Sequence, residues 1–359
     1  MSGRVGPTAG RFGSSNGKDR HFMARTIKEI AQDTGYSRTT VTLVINGKAD
    51  DYRISPKARA IIEAYIAEHG YRYNQAARSL KLARSHTVGL IVPDIANAFF
   101  ARLAAVLEQH CRRQGFILVT TSTGESPEVE RLALENFAAR GVDGVILTPC
   151  EPRRSLPTGG RKAEMPVVQI DRRFEGDDGF VVTSNHFVSA ETVTHRIIAA
   201  GARKITFLTG SPANPTTQQR IGGFESATAQ LPDATARFTV RSSNQDTEDG
   251  GYALIEDLLT ADGDLPDGLI FGSLLILHGA MRAIRTRLGA IPPGLLAGTF
   301  AYSAIIEYLP NPVFVIRQDE RGLAEQAFDT LGQLMRGERP AEQVNLVATN
   351  LVSYRAPAP

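Results

Sequence analysis

The 359-residue chain is 42% hydrophobic and 22% charged, ordinary proportions for a folded globular protein and enough length for two or three domains with a large buried core. Its two cysteines, Cys111 and Cys150, exclude a disulfide framework and show no spacing suited to zinc, and no apolar run is long enough to span a bilayer or to act as a secretory signal. A reducing cytoplasm is the expected setting, with no metal, cofactor or membrane partner.

The net charge of +2 hides an uneven distribution. Residues 1–23 carry four Lys/Arg and one Asp, and residues 24–84 carry eleven Lys/Arg against six Asp/Glu, which leaves the remainder at −6. A polyanion-binding surface is therefore expected in the basic first part of the chain.

Residues 1–23 are rich in Gly, Ser and Arg and lack apolar periodicity, so they read as a disordered extension, with Met23 as an alternative start of translation. Residues 24–73 then give three short helical patterns. Ile27, Ile30 and Ala31 mark the inner face of the first, Gly35 permits a tight turn, and Val41, Val44 and Ile45 recur at helical spacing on the second. Ser55 as N-cap and Pro56 at the first helical position open the third, which stops at Gly70. Two short helices joined by a Gly-containing turn and supported by a third form a helix-turn-helix pattern. Residues 74–85, basic with small residues, are too few for a stable isolated helix in water.

From His86 to residue 355 apolar strands alternate with amphipathic helices. The strands predicted are "TVGLIVP", "GFILVTT", "GVDGVILTP", "MPVVQID", "KITFLTG", "DGLIFGS" and "GLLAGTF". Such alternation implies parallel sheets covered on both faces, and its length implies two Rossmann-like lobes with a ligand cleft at the carboxyl ends of the strands. The fold class is thus α/β: an all-α head, then a two-lobed body with a ligand cleft. The first lobe is expected at about 86–184 and 317–343, the second at about 185–316 and 344–355.

The run "TIKEIAQDTGYSRTTVTLVING", followed by "YRISPKARAIIEAYIAEHGYRYNQAARSLKLARSHTVGLIVPDIANAFF", resembles the lactose/galactose-repressor (LacI/GalR) family of bacterial transcription regulators. Later landmarks, "GVDGVILTP", "QIDRRF", "QQRIGGF", "GTFAYSAIIEYL" and "VIRQDERGLAEQAF", carry the resemblance almost to the end. The stretch "SRTTVTLVINGKADDYRIS" is most similar to the subgroup of fructose and sucrose repressors. The resemblance implies a periplasmic-binding-protein-like body, a homodimer on near-palindromic operator DNA, and a sugar or sugar-phosphate effector. No leucine-repeat tail follows "NLVSYRAPAP", which favours a dimer over a tetramer.

In that family the start of the second helix reads base edges in the major groove, so Arg38 and Thr39 match the principal reading positions, with Thr42, Leu43 and Asn46 on the same helix. Leu43 stands where relatives often carry arginine. Thr26, Ser37 and Thr40 are caps or phosphate contacts that fix register. The family's hinge helix matches Asn74 to Arg84: Ala77 holds the close-packing position and Leu80 the leucine inserted between central base pairs.

For the effector, Arg220 matches an arginine that holds a sugar hydroxyl or phosphate in relatives. Asp171 and Arg172 at the end of "PVVQID" are either cleft residues or a mutual ion pair. Asp94 and Asn97 either face the cleft or cap the next helix; Phe100 lies in the cleft or the core; Thr148, Tyr302 and Gln318 follow other strand ends. Ala301 and Tyr302 stand where relatives carry an acceptor aspartate, and Ser273 and Leu274 where they carry Asn-Asp. The ligand is then less hydroxylated or more aromatic than a free hexose, or the acceptor comes from elsewhere. The rivals are an enzyme and an exported sugar-binding protein on the same two-lobed fold. The chain carries no GxGxxG after the first strand, no GxxxxGK[ST] and no GxSxG, and Cys150 lacks a placed histidine.

Overall fold

The computed structural model describes residues 25–71, 84–152, 165–229 and 235–355. The chain divides near Ala83 into two compact units, a helical head and an α/β body.

In the head, α1 (Ile27–Thr34), α2 (Arg38–Ile45) and α3 (Pro56–His69) enclose a small core of Ile30, Ala31, Val41, Val44, Ala49 and Ile62. Local chemistry sets each boundary. Thr26 forms a capping box with Glu29, Ser37 caps α2 through Thr40 N–H, and Ser55 caps α3 ahead of Pro56. Gly35 closes α1 at φ 76°, a left-handed turn that a side chain would strain, and brings α2, which starts three residues later, onto the core. Ile27 and Ile45 pack at the edge of this core, only partly buried.

The body opens with β1 (Thr87–Val92), α4 (Ala98–Arg113), β2 (Ile117–Ser122), α5 (Pro127–Ala139), β3 (Gly144–Leu147), β4 (Val167–Ile170) and β5 (Phe180–Ser184). It continues through α6 (His186–Ala199), β6 (Lys204–Thr209), α7 (Pro215–Ala229), β7 (Arg237–Ser242), α8 (Glu248–Asp262), β8 (Gly268–Phe271), α9 (Leu274–Leu288) and β9 (Leu296–Thr299). A short 3-10 turn at Ala304–Tyr308 leads to β10 (Val313–Gln318), α10 (Glu320–Met335), β11 (Val344–Val347) and β12 (Thr349–Tyr354).

These strands build two six-stranded sheets, ordered β11-β5-β4-β3-β1-β2 and β12-β10-β9-β8-β6-β7. Every pairing is parallel except β12 on β10. The central strands are buried end to end because helices cover both faces, which explains their unbroken apolar sequences. Each lobe therefore has a core on either side of its sheet: Leu103, Leu107 and Phe328 with Leu134 and Phe137 in the first, Leu277 and Ile284 with Phe207 and Phe224 in the second. Burial of each such side chain contributes ~1.5–3 kcal/mol.

All seven predicted strands are present, joined by β5, β7 and the last three. Two lobe bounds are corrected. β10 pairs with β9 and, through Arg317 and Gln318, with β12 in the second sheet, so 317–318 belongs to lobe two rather than lobe one; β11 pairs with β5 in the first sheet, so 344–347 belongs to lobe one rather than lobe two. The chain thus crosses between lobes after β5, after β10 and between β11 and β12, where only one residue separates strands of different sheets. Within the described residues no helix is long and apolar enough to cross a membrane.

Candidate functional site: the second head helix and the interlobe cleft

On α2 the apolar face is turned to the core through Val41 and Val44, and Arg38, Thr39 and Asn46 are exposed. The threonines of this helix divide by chemistry. Ser37 Oγ lies 2.9 Å from Thr40 Oγ1 and accepts from Thr40 N–H at 3.1 Å, and Thr42 Oγ1 donates to the Arg38 carbonyl at 2.7 Å. Thr26 Oγ1 is likewise engaged, donating to Glu29 at 2.9 Å. The hydroxyls of Thr26, Ser37, Thr40 and Thr42 therefore already have internal partners, in caps at helix starts or bonded back to a helix carbonyl. Leu43 is half-exposed beside them. Asn74, Ala77 and Leu80 lie outside the described residues.

In the body a polar cavity of about 60 Å³ opens at the carboxyl ends of both sheets, lined by Asn97, Phe100, Asp171, Arg172, Arg220 and Gln318 among the predicted residues. Others were not foreseen as ligands: Phe99, Asn214, Thr216, Thr217, Asp246, Gly272, Ser273, Leu274, Phe300 and Ala301. Three expectations are corrected. Asp94 is exposed and accepts from Ala96 N–H at 2.8 Å, shaping the turn before α4. Tyr302 is directed to Glu307, its hydroxyl donating at 2.6 Å, with Arg317 over its ring and Tyr354 stacked on it. Thr148 is fully buried after β3 and does not line the cavity.

Asp171 and Arg172 do not pair with each other as the main contact. Arg172, buried, donates from both Nη atoms to both carboxylate oxygens of Glu125, at 2.5 and 2.6 Å. Asp171 takes a left-handed backbone, φ 68°, which costs a non-glycine residue roughly 1 kcal/mol. Its N–H bonds the Val182 carbonyl at 2.9 Å, and its own carbonyl accepts from Thr183 Oγ1 at 2.5 Å. Burial pushes the Asp171 carboxyl upward, opposed by the nearby charges of Arg220 and Arg172.

Arg220, buried on α7, donates through Nη1 to the Gly272 carbonyl at 2.6 Å and lays its guanidinium over the Phe300 ring, 4.5 Å from the centroid. Burial lowers it to about 10, with Asp171 and Asp246 working in the opposite direction; it remains a cation at neutral pH. Asp246 brings a second carboxylate to this lining. It follows β7, accepts from Ser273 Oγ at 2.5 Å, and is pushed upward by burial. The strand-end rule could have suggested it, but Asp246, Glu248 and Asp249 crowd the same few positions and only tertiary structure singles one out.

Among the described residues, Arg172 Nε, Arg220 Nε, Thr216 Oγ1 and Gln318 Oε1 are buried polar atoms of this lining without a partner. Buried polar atoms ordinarily find one. Carboxylates, guanidiniums and amides converging beside the rings of Phe99, Phe100 and Phe300 match a small polyhydroxylated ligand with an apolar face. Nucleophilic chemistry finds no support: burial raises the Cys150 and Cys111 thiols to about 12, and a thiol, not a thiolate, is poorly reactive.

Residues 26–74 match the model of bacterial regulatory proteins of the lacI family, and residues 88–339 that of a periplasmic binding protein domain. The sucrose operon repressor of Klebsiella pneumoniae is 31% identical over 88% of this chain and 93% of its own length. The Cra transcriptional dual regulator of Pseudomonas putida, solved in complex with fructose 1-phosphate, superposes with a TM-score of 0.68 at 26% identity, covering 74% of this chain and 98% of that one. The Lac repressor dimer bound to operator shares the fold, with a TM-score of 0.76 at 21% identity over 92% of this chain and 98% of that one. With a lacI-type head, a binding-protein body and a repressor relative matched almost end to end, this chain belongs to the lacI family of bacterial regulatory proteins.

Proposed function

We propose that the protein is a sequence-specific DNA-binding regulator of carbohydrate genes, acting in the cytoplasm as a repressor, whose operator affinity is set by a sugar or sugar phosphate in the interlobe cleft. The observation that carries this reading is the coexistence of an outward-facing Arg38 and Thr39 at the start of a short, capped helix with a cleft whose polar groups come from both lobes. An N-terminal helical turn with free arginine and threonine side chains suits base edges in the major groove, where arginine reads guanine. Lys48, Arg53 and Lys57 are placed in the same basic segment for phosphate contacts.

In this reading two copies bind a near-palindromic operator, with Asn74, Ala77 and Leu80 ordering on the DNA and Leu80 wedging the minor groove. Exposed apolar side chains on the edge strand β2, Ile117 and Val119, and on α5, Val129 and Leu132, supply a surface for a second copy. Ligand closure across the cleft then biases the hinge, and the coupling is reciprocal: a ligand that loosens DNA binding itself binds the DNA-bound form more weakly. The experiment is selection of bound sequences from random duplex DNA, followed by release with candidate sugars. An enriched palindrome released by a sugar supports the function; no enrichment returns the exported sugar-binding protein as the better reading.

A further inference from the structure

The ion pair between Glu125 and Arg172 is built from unequal partners. Arg172 is held in place: its side chain is 6% exposed, it lines the cavity, and Nη1 also lies 3.4 Å from the Pro149 carbonyl. Glu125 is 50% exposed and sits on the loop between β2 and α5, where Gly124 and Glu125 take consecutive left-handed conformations, φ 59° and 63°. Such a backbone is mildly unfavourable for glutamate, so the loop gains little locally from this position. The half-exposed carboxylate is free to return to water once another anion takes its place on the guanidinium, whereas the buried guanidinium cannot leave.

The contact geometry is that of anion recognition. Two parallel N–H donors reach two oxygens at 2.5 and 2.6 Å, the arrangement by which arginine binds a carboxylate or a phosphoryl group. Arg220 is less suited to that role, because its fork is spent on the Gly272 carbonyl and His186, its face on Phe300, and Asp171 and Asp246 lie beside it. The cleft's two guanidiniums are opposed by Asp171, Asp246 and Glu125, the last acting electrostatically on both aspartates. A phosphoryl group brought into this setting meets repulsion from the Glu125 carboxylate as long as that carboxylate stays on Arg172. A neutral sugar meets none.

We propose that Glu125 is a specificity-determining residue of the cleft: its carboxylate occupies the place on Arg172 that a ligand's phosphoryl group takes, and such a ligand binds by displacing it. Glu125 thereby weakens every phosphorylated ligand while leaving uncharged ones untouched, and it sets the concentration at which a phosphorylated effector acts. This rests on the cleft being the effector site, as proposed above.

The test uses the full chain and its Glu125→Gln and Glu125→Ala variants, with inorganic phosphate, fructose 1-phosphate and fructose as probes, read by calorimetry and thermal shift. In both variants inorganic phosphate and fructose 1-phosphate should bind at least about tenfold more tightly than in the parent, the scale of one charged hydrogen bond regained. Fructose affinity should be the same in all three, and Arg172→Met added to Glu125→Gln should abolish the gain. If phosphate and fructose 1-phosphate bind the folded variants no more tightly than the parent, the proposal is overturned. Because these measurements contain no DNA, their failure is distinct from a failure of the parent to select an operator.

Discussion

Arg220 donates through Nη2 to Nδ1 of His186 across 3.3 Å, and the other ring nitrogen of His186 lies 3.3 Å from the Asp171 carbonyl. An arginine can only donate, so Nδ1 is the acceptor and Nε2 carries the proton. The first residue of α6, at a lobe crossover, thus links a cleft residue of the first lobe to one of the second. Burial, reinforced by the charge of Arg220, pushes the imidazole down to about 3.

That depressed value makes His186 a source of acid sensitivity. Between its unfolded value of 6.5 and about 3 the unfolded chain binds a proton that the folded chain does not, so stability is present above pH 6.5 and is lost as the pH falls. The loss approaches about 1.4 kcal/mol per pH unit inside that window. Asp171, pushed upward, acts in the opposite sense, since its folded form holds a proton at a pH where the unfolded form has released it. Denaturant titrations at pH 7 and pH 5 should show the parent losing roughly 2 kcal/mol more than His186→Gln, which keeps an acceptor and a donor without the titration. Equal losses would remove His186 from the account.

Arg220→Lys should separate effector response from DNA binding. A lysine cannot reach the Gly272 carbonyl and His186 together or lie flat on Phe300. Operator affinity without ligand, measured by fluorescence anisotropy, should stay within about threefold of the parent, while the sugar concentration for release rises at least tenfold, the scale of one charged hydrogen bond. A large fall in ligand-free operator affinity would place Arg220 in the structure of the head-to-body coupling instead.

The head offers a paired test of capping against reading. Thr26→Ala removes the hydroxyl that accepts from Glu29 N–H and donates to the Glu29 carboxylate, leaving only the backbone half of the capping box, and should cost about 1 kcal/mol of stability. Thr39→Ala touches an exposed side chain and should stay within about 0.5 kcal/mol, yet change the sequence preference of selected DNA. Stability measured by denaturation and preference measured by selection should therefore move in opposite members of the pair.

What the sequence made legible was what is decided locally. The helix boundaries of the head follow from Thr26, Ser37, Ser55 and Gly70 because caps act over three or four residues. Most strands announce themselves as apolar runs, the edge strand β2 included. Others do not: β7, "RFTVRS", has only two apolar residues, β5, "FVVTS", is buried yet ends polar, and β10 to β12 depend on which sheet each joins. The cleft was legible where a strand end supplied the residue, as at Asp171 and Arg172, and illegible where tertiary contact decides the role. Asp246 meets Ser273 across 27 residues and Glu125 meets Arg172 across 47. Tyr302 stands after a strand end as the rule requires, but Glu307 and Tyr354 draw it elsewhere.

The central claim is that α2 reads bases, and Arg38 tests it most directly. Random duplex DNA is carried through selection with the parent and with Arg38→Ala, and affinities for the enriched site and its single-base variants are compared. The account predicts a near-palindrome for the parent and, for Arg38→Ala, discrimination relaxed by roughly 1–3 kcal/mol at one position per half-site, with the other positions unchanged. A uniform fall in affinity for all sequences, or a parent that enriches none, would contradict it.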